Sequence, residues 1–177
     1  MKEVVLHDKT FVKYISSEQI KKEVKRLAEE VEKDVSDIPV FVITLKGGFM
    51  FGSDFAKAFK KPALFDFIRV KSYINTESTG DVEVILNVTE NIKDKEVYIL
   101  EDIVDTGNTL EKIMALLQSH QPKFIKIVTL FYKPEAYKKN IPVDFVGFEI
   151  PKKFIVGYGL DYNELGRNLK EVYQLKI

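Results

Sequence analysis

The chain has no cysteine among its 177 residues, which excludes a disulfide framework, a cysteine-ligated zinc site and a thiol nucleophile together. It has only two histidines, His7 and His120. Neither has an acidic or histidine partner at ligand spacing, so both read as surface or packing residues and no zinc site is supported. Net charge is also missing: 27 lysines and arginines balance 27 aspartates and glutamates. No global field therefore draws the chain to nucleic acid or to an anionic membrane. No apolar run approaches the ~20 residues of a membrane span, and the opening MKEVVLHDKTF has no apolar signal-like core. No repeat of 20–50 residues and no low-complexity tract is present, which removes solenoids and disordered tails. The expectation is a cytoplasmic protein with one domain over 1–177, long enough to bury roughly 70% of its unfolded surface. Function must come from local constellations.

What is present alternates between two periods. Ser16-Ser17-Glu18-Gln19 reads as a capping box with Ser16 at the N-cap. Behind it Ile20, Val24, Leu27 and Val31 form an apolar stripe on one helix face. Four apolar runs, 40–45, 97–100, 124–131 and 143–148, are rich in β-branched and aromatic residues and read as strands buried on both faces. Helical spacing separates the first three, in Phe51/Phe55/Phe59 and in Leu110/Ile113/Met114/Leu117. Residues 65–73 and 82–88 read as a further strand pair joined by a polar stretch, 72–81, longer than a hairpin needs. This pattern predicts an α/β fold with an open, mainly parallel central sheet flanked by helices. Ligands in such sheets bind at the carboxyl ends of the strands.

One strand end is unusually rich in chemistry. The run Val97 to Leu110 (VYILEDIVDTGNTL) carries a buried strand into three carboxylates, Glu101, Asp102 and Asp105. A small polar turn, Thr106-Gly107-Asn108-Thr109, then opens the helix. Backbone N–H groups and hydroxyls at a helix N-terminus bind phosphate, and Gly107 permits the close approach. Carboxylates beside a phosphate would repel it unless they hold sugar hydroxyls or Mg²⁺. A ribose 5-phosphate satisfies both halves. The plain alternative, acids that merely cap and solvate a helix start, explains one carboxylate but not three followed by T-G-x-T. Other motifs fail. No Walker A loop occurs, the glycines of 47–52 are misplaced for a dinucleotide fingerprint, and Gly157-Tyr158-Gly159 matches only two glycines. Asp105-Thr106-Gly107 is a single copy before a helix, whereas an aspartic protease needs two within a β-rich fold.

LEDIVDTGNTL resembles the phosphoribosyl-diphosphate motif of the type I phosphoribosyltransferases. Residues 143–172 (VDFVGFEIPKKFIVGYGLDYNELGRNLKEV) are similar to the C-terminal segment of the hypoxanthine-guanine members. Leu45-Lys46-Gly47-Gly48 and Arg69-Val70-Lys71-Ser72-Tyr73 through Ser78-Thr79-Gly80-Asp81 match in order and spacing. The likeness spans nearly the whole chain from about Val40 and is faint before it.

The resemblance implies condensation of a 6-oxopurine, hypoxanthine and with it guanine, with phosphoribosyl diphosphate, releasing pyrophosphate. It implies that Glu101 and Asp102 hold the ribose hydroxyls and help place Mg²⁺, and that Asp105, Thr106, Gly107, Asn108 and Thr109 wrap the 5-phosphate. Asp105 becomes the candidate to exchange a proton with purine N7, or else only orients the base. Lys46, Gly47 and Arg167 become pyrophosphate contacts, with a non-proline cis peptide at Leu45–Lys46. Lys133 would donate to the purine 6-oxo group, although a lone lysine there reads as solvated. Phe154 would stack on the base and Ile155 would offer backbone groups to its edge. Asp161, grouped with this purine side, would also support a second Mg²⁺ through water. Ser72 and Tyr73 would belong to a mobile loop, 72–81, closing over the reactants, and a small hood built from the chain ends would complete the fold. Homodimers or homotetramers are the family's habit. Leu165-Gly166 precedes Arg167 where some relatives are aromatic, a departure on the pyrophosphate side. Competing readings are a nucleotide-sensing regulator on the same fold and a relative specific for another base.

Overall fold

A computed structural model describes residues 2–72 and 82–176. Its centre is a six-stranded sheet in the order β5-β4-β3-β6-β7-β8, from β3 (Val40–Thr44), β4 (Leu64–Ser72), β5 (Val82–Leu86), β6 (Glu96–Val104), β7 (Phe124–Tyr132) and β8 (Phe145–Glu149). Every neighbouring pair is parallel except β4 with β5. Both faces of β3 and β6 and most of β7 are covered, as their near-continuous apolar runs require. β8, expected to be buried on both faces, is an edge strand and only partly buried, and Val84, Ile85 and Leu86 of β5 at the other edge are exposed. Alternation on β3 divides the core: Phe41 and Ile43 pack with one cluster, Val40 and Val42 with the other. The first cluster is closed by α1 (Ser17–Asp34) and α2 (Phe49–Ala58), through Ile20, Val24, Leu27, Phe51 and Phe55. The second is closed by α3 (Asn108–Gln118) through Leu110, Ile113 and Leu117.

The capping box at α1 forms as expected. Ser16 accepts from the Gln19 backbone and Gln19 accepts from the Ser16 backbone, a cap of the kind that stabilises a helix by about 0.5–2 kcal/mol.

The chain ends build a second, four-stranded sheet, β1-β2-β10-β9, of β1 (Glu3–Leu6), β2 (Lys9–Ile15), β10 (Val172–Leu175) and β9 (Ile155–Val156). Phe11, Val4, Val156 and Tyr173 form its small core. This is the expected hood, although the segment before Val40 reads from sequence only as a helix.

Two details position the site. The strand order reverses between β3 and β6: the chain moves outward to β4 from one and to β7 and β8 from the other. The crevice at the carboxyl ends of these two strands is the topological switch point, where open α/β sheets bind ligands. In addition β6 extends to Val104. Glu101 and Asp102 therefore lie within the strand, paired alongside Thr129 of β7 in the case of Glu101, rather than in the turn after it. The loop expected over residues 72–81 reaches the described structure only at Ser72, whose backbone ends β4; Tyr73 and 74–81 lie outside the described residues.

Candidate active site

The turn leaving β6 and the turn leaving β3 meet at the switch point. Gly107 has φ +83° and is the N-cap of α3, without a side-chain cap. The first intrahelical bond runs from the Glu111 N–H to the Gly107 carbonyl. The preceding donors at the head of α3 thus have no helix partner, whereas α1 seals its own N-terminus. Positive φ of this size favours glycine. A Cβ there would also crowd the Tyr137 ring and the Lys139 stem. Glu101, Asp105, Thr106, Gly107, Asn108 and Thr109 line one cavity of about 260 Å³ here. All of the residues expected around a ribose 5-phosphate are thereby brought together except Asp102, which lies beneath the neighbouring turn.

Asp102 is buried, 6% exposed, and its Oδ1 accepts the Ile103 N–H at 3.0 Å. Gly47 lies directly against it: a Cβ on Gly47 would overlap the Asp102 carboxylate. Glu101 is only partly buried as a residue, yet its Oε2 is covered and has no hydrogen-bond partner among the described residues. Burial pushes the Glu101 carboxyl well above the usual carboxylate range, and the adjacent Asp102 adds to the shift. Asp102 is also pushed up by burial, against hydrogen bonds that hold it down. A covered oxygen with an open lone pair next to a second carboxylate suits a hard cation such as Mg²⁺. Among the described residues no three acidic or histidine side chains form a metal cage. Mg²⁺ commonly needs only one or two carboxylates plus substrate oxygens, so the two acids fit it.

Lys46 follows a cis Leu45–Lys46 peptide, as the resemblance implies. Its Nζ lies 2.8 Å from Glu164 Oε2. Arg167 reaches the same place from the C-terminal segment. Its Nη2 is 2.7 Å from Asp161 Oδ1, and its Nη1 donates to the Gly159 carbonyl at 2.9 Å. Asp161 Oδ2 accepts the Glu164 N–H at 2.8 Å. Both Asp161 oxygens are therefore engaged by protein groups, on the side of Arg167 rather than among the purine-side residues Lys133, Phe154 and Ile155.

Asp105 and Lys133 each directly follow a strand, and those strands are in register up to Val104↔Tyr132. The next pair in register is therefore Asp105 and Lys133. The Lys133 N–H donates to the Val104 carbonyl at 3.0 Å, and Lys133 Nζ donates to Asp105 Oδ2 at 2.6 Å. Lys133 is 7% exposed, so it is not the solvated lysine its residue type suggests. Phe154 is the reverse. It is 45% exposed, with Phe11 and Tyr162 on its flanks, so it is not core. Ile155 lies on β9, the outer strand of the hood sheet. The Leu175 N–H donates to the Phe154 carbonyl at 3.0 Å, which makes Phe154 and Leu175 a hydrogen-bonded pair. The next pair, Ile155 with Gln174, is then non-hydrogen-bonded, and the Ile155 backbone groups point to the open edge.

Two residues at the site escaped sequence reasoning. Gly159 has φ +98°, and a Cβ on it would overlap the Gly47 carbonyl, so Gly159 supports the turn that carries Lys46 and Gly47. The glycine pair 157/159 is the available sequence signal, and its use is backbone packing, not dinucleotide binding. Glu164 ties Lys46 to Arg167; nothing in its local sequence marks it.

The phosphoribosyl transferase domain model matches residues 13–163. A hypoxanthine-guanine phosphoribosyltransferase of Aquifex aeolicus is 41% identical over 92% of this chain and 93% of its own. One from Bacillus subtilis is 42% identical over 92% and 91%. A crystal structure of a hypoxanthine-guanine phosphoribosyltransferase from Bacillus anthracis, with a HEPES molecule in its active site, superposes with a TM-score of 0.87 at 40% identity, covering 93% of this chain and 98% of that one. The open, mainly parallel sheet flanked by helices agrees with these matches. The chain belongs to the phosphoribosyl transferase domain family, with the type I fold, and within that family to the hypoxanthine-guanine phosphoribosyltransferases.

Proposed function

We propose that this chain, as one domain over 1–177, salvages purines by transferring the 5-phosphoribosyl group of phosphoribosyl diphosphate to N9 of hypoxanthine, and of guanine, releasing pyrophosphate. The observation that carries the reading is the Asp105–Lys133 pair, 2.6 Å apart, in register beside the uncapped head of α3. A base seated on that pair would meet a donor for its 6-oxo group and an acceptor for its N7 proton. Asp105 takes that proton as N9 attacks C1 of the ribose and the C1–O bond to the diphosphate breaks. A carboxylate at hydrogen-bond reach suits this task. Lys133 has donors only, so it favours a 6-oxo group over a 6-amino group. The α3 turn from Asp105 to Thr109 holds the 5-phosphate. Phe154 offers an exposed ring for stacking, and Ile155 offers its unpaired backbone edge.

Lys46, Gly47 and Arg167 receive the diphosphate, the guanidinium fork suiting its oxygens. Glu101 and Asp102 would hold Mg²⁺, with Asp161 supporting a second through water; when bound, the ion neutralises charge on the diphosphate. Ser72 and Tyr73 would cover the reactants and exclude water. Exposed Phe67, Val84, Ile85 and Leu86 support assembly of copies, as a homodimer or homotetramer, which light scattering would measure. No helix among the described residues is long and apolar enough to cross a membrane. We place the enzyme in the cytoplasm.

The test is a panel of bases mixed with phosphoribosyl diphosphate and Mg²⁺, with products identified by mass spectrometry. Hypoxanthine and guanine should give their nucleoside monophosphates. Faster turnover of adenine or uracil, or binding without product, would overturn the reading.

A further inference from the structure

Lys46 and Arg167 come from opposite parts of the chain, yet one carboxylate oxygen serves both. Glu164 Oε2 lies 2.8 Å from Lys46 Nζ and 3.5 Å from Arg167 Nη2. The turn that presents Glu164 is tightly made. Tyr162 and Leu165 exchange backbone hydrogen bonds of 2.9 and 3.1 Å, and the Glu164 N–H is fixed on Asp161. Asn163 and Glu164 both have positive φ, 48° and 68°, a region where glutamate is uncommon.

The side chain so presented is not packing. The Glu164 side chain is 66% exposed and that of Lys46 45% exposed, so their contact excludes little water and fills no void. An exposed pair of this kind contributes little to stability, and stability gives no reason for a glutamate here. What the geometry does provide is an anion between two cations, held closely by Lys46 and more loosely by Arg167, whose nearer carboxylate is Asp161 at 2.7 Å. A carboxylate oxygen shared by an ammonium and a guanidinium makes the same contacts that a phosphate oxygen would make.

We propose that Glu164 is an internal stand-in for the diphosphate. Its carboxylate occupies the Lys46–Arg167 cations in the free enzyme, so phosphoribosyl diphosphate and pyrophosphate bind by displacing it. Its return then helps pyrophosphate leave. Glu164 is in this sense a residue that sets diphosphate affinity, acting through Lys46 and Arg167. The inference rests on the reading of those two as the diphosphate contacts.

Calorimetric titration of the full chain with pyrophosphate in the presence of Mg²⁺ tests it, using wild type, E164Q, E164A, K46Q and R167Q. Removing the competing charge should tighten pyrophosphate roughly two- to fivefold in both Glu164 variants, the range expected of exposed charge pairs. Binding of inosine monophosphate, which does not use this subsite, should not change. A merely structural Glu164 predicts the opposite sign, since loss of a prop for Lys46 would weaken pyrophosphate. Unchanged or weaker pyrophosphate binding in both Glu164 variants, with K46Q and R167Q weakened, would overturn the stand-in alone. Tightening shared equally by inosine monophosphate would also overturn it. Unaltered binding in K46Q and R167Q would remove the diphosphate subsite itself, and the stand-in with it.

Discussion

Lys133 and Asp105 belong together because two parallel strands end in register. Each is a modest residue alone. Side by side at 2.6 Å they place a donor-only group and a carboxylate at one strand end. That arrangement assigns them separate effects. Asp105→Asn keeps the shape and removes the proton acceptor, so kcat should fall about 10²- to 10⁴-fold while phosphoribosyl diphosphate binding is largely spared. Steady-state kinetics with hypoxanthine would show it, and an unchanged kcat would leave Asp105 only orienting the base. Lys133→Gln puts an acceptor beside the donors. The ratio of kcat/KM for hypoxanthine over adenine should therefore fall, and an unaltered ratio would remove Lys133 from base recognition.

The two helix heads differ for a reason that is local. α1 begins with its own cap, while α3 begins at a left-handed glycine with none, so one terminus is closed and the other is a binding surface. The turn after β3 is equally dependent on small residues, but across the fold: Gly47 sits against Asp102, and Gly159 sits against Gly47. Gly159→Ala would put a Cβ into the Gly47 backbone at a positive φ. A strained backbone position of this kind costs about 1–3 kcal/mol, or a fall in Tm of about 2–12 °C for a chain this size. The KM for phosphoribosyl diphosphate should rise more than that for hypoxanthine. Thermal melts and kinetics check both; equal rises would mean that the turn carries no diphosphate contact. The same contrast explains what could be read in advance. The buried strands and the α3 turn are contiguous, so apolar runs and an acid-rich motif expose them. The hood strands are two to seven residues long and pair chain end to chain end, as Ile15 does with Val172. Gly159 and Glu164 acquire their roles only through such distant contacts, which no local pattern encodes.

Across the whole molecule, β6 carries two glutamates with opposite electrostatics, Glu96 at its start and Glu101 in its second half, about 16 Å apart at the usual strand rise. Glu101, toward the carboxyl end, is raised by burial and left with an open oxygen for chemistry. Glu96, at the other end, is 1% exposed. Burial alone would push it up too. Hydrogen bonds from the Ser36 hydroxyl, Lys123 and the Ser36 and Asp37 backbones outweigh that and hold it down at about 2. It ties the segment after α1 and the loop before β7 to the base of the sheet. A carboxylate depressed in the folded state stabilises above its unfolded pKa of 4.5. That contribution is lost as pH falls from there through about 2. Glu96→Gln keeps the shape but loses the charge, and should cost about 1–3 kcal/mol at pH 7, the range for a charge-assisted hydrogen bond broken in a buried setting. Urea midpoints of wild type and variant, taken between pH 7 and pH 2.5, should therefore converge as the pH drops below about 4.5. Curves that stay parallel over that interval would mean that the lower end of the sheet is held by packing and not by this carboxylate.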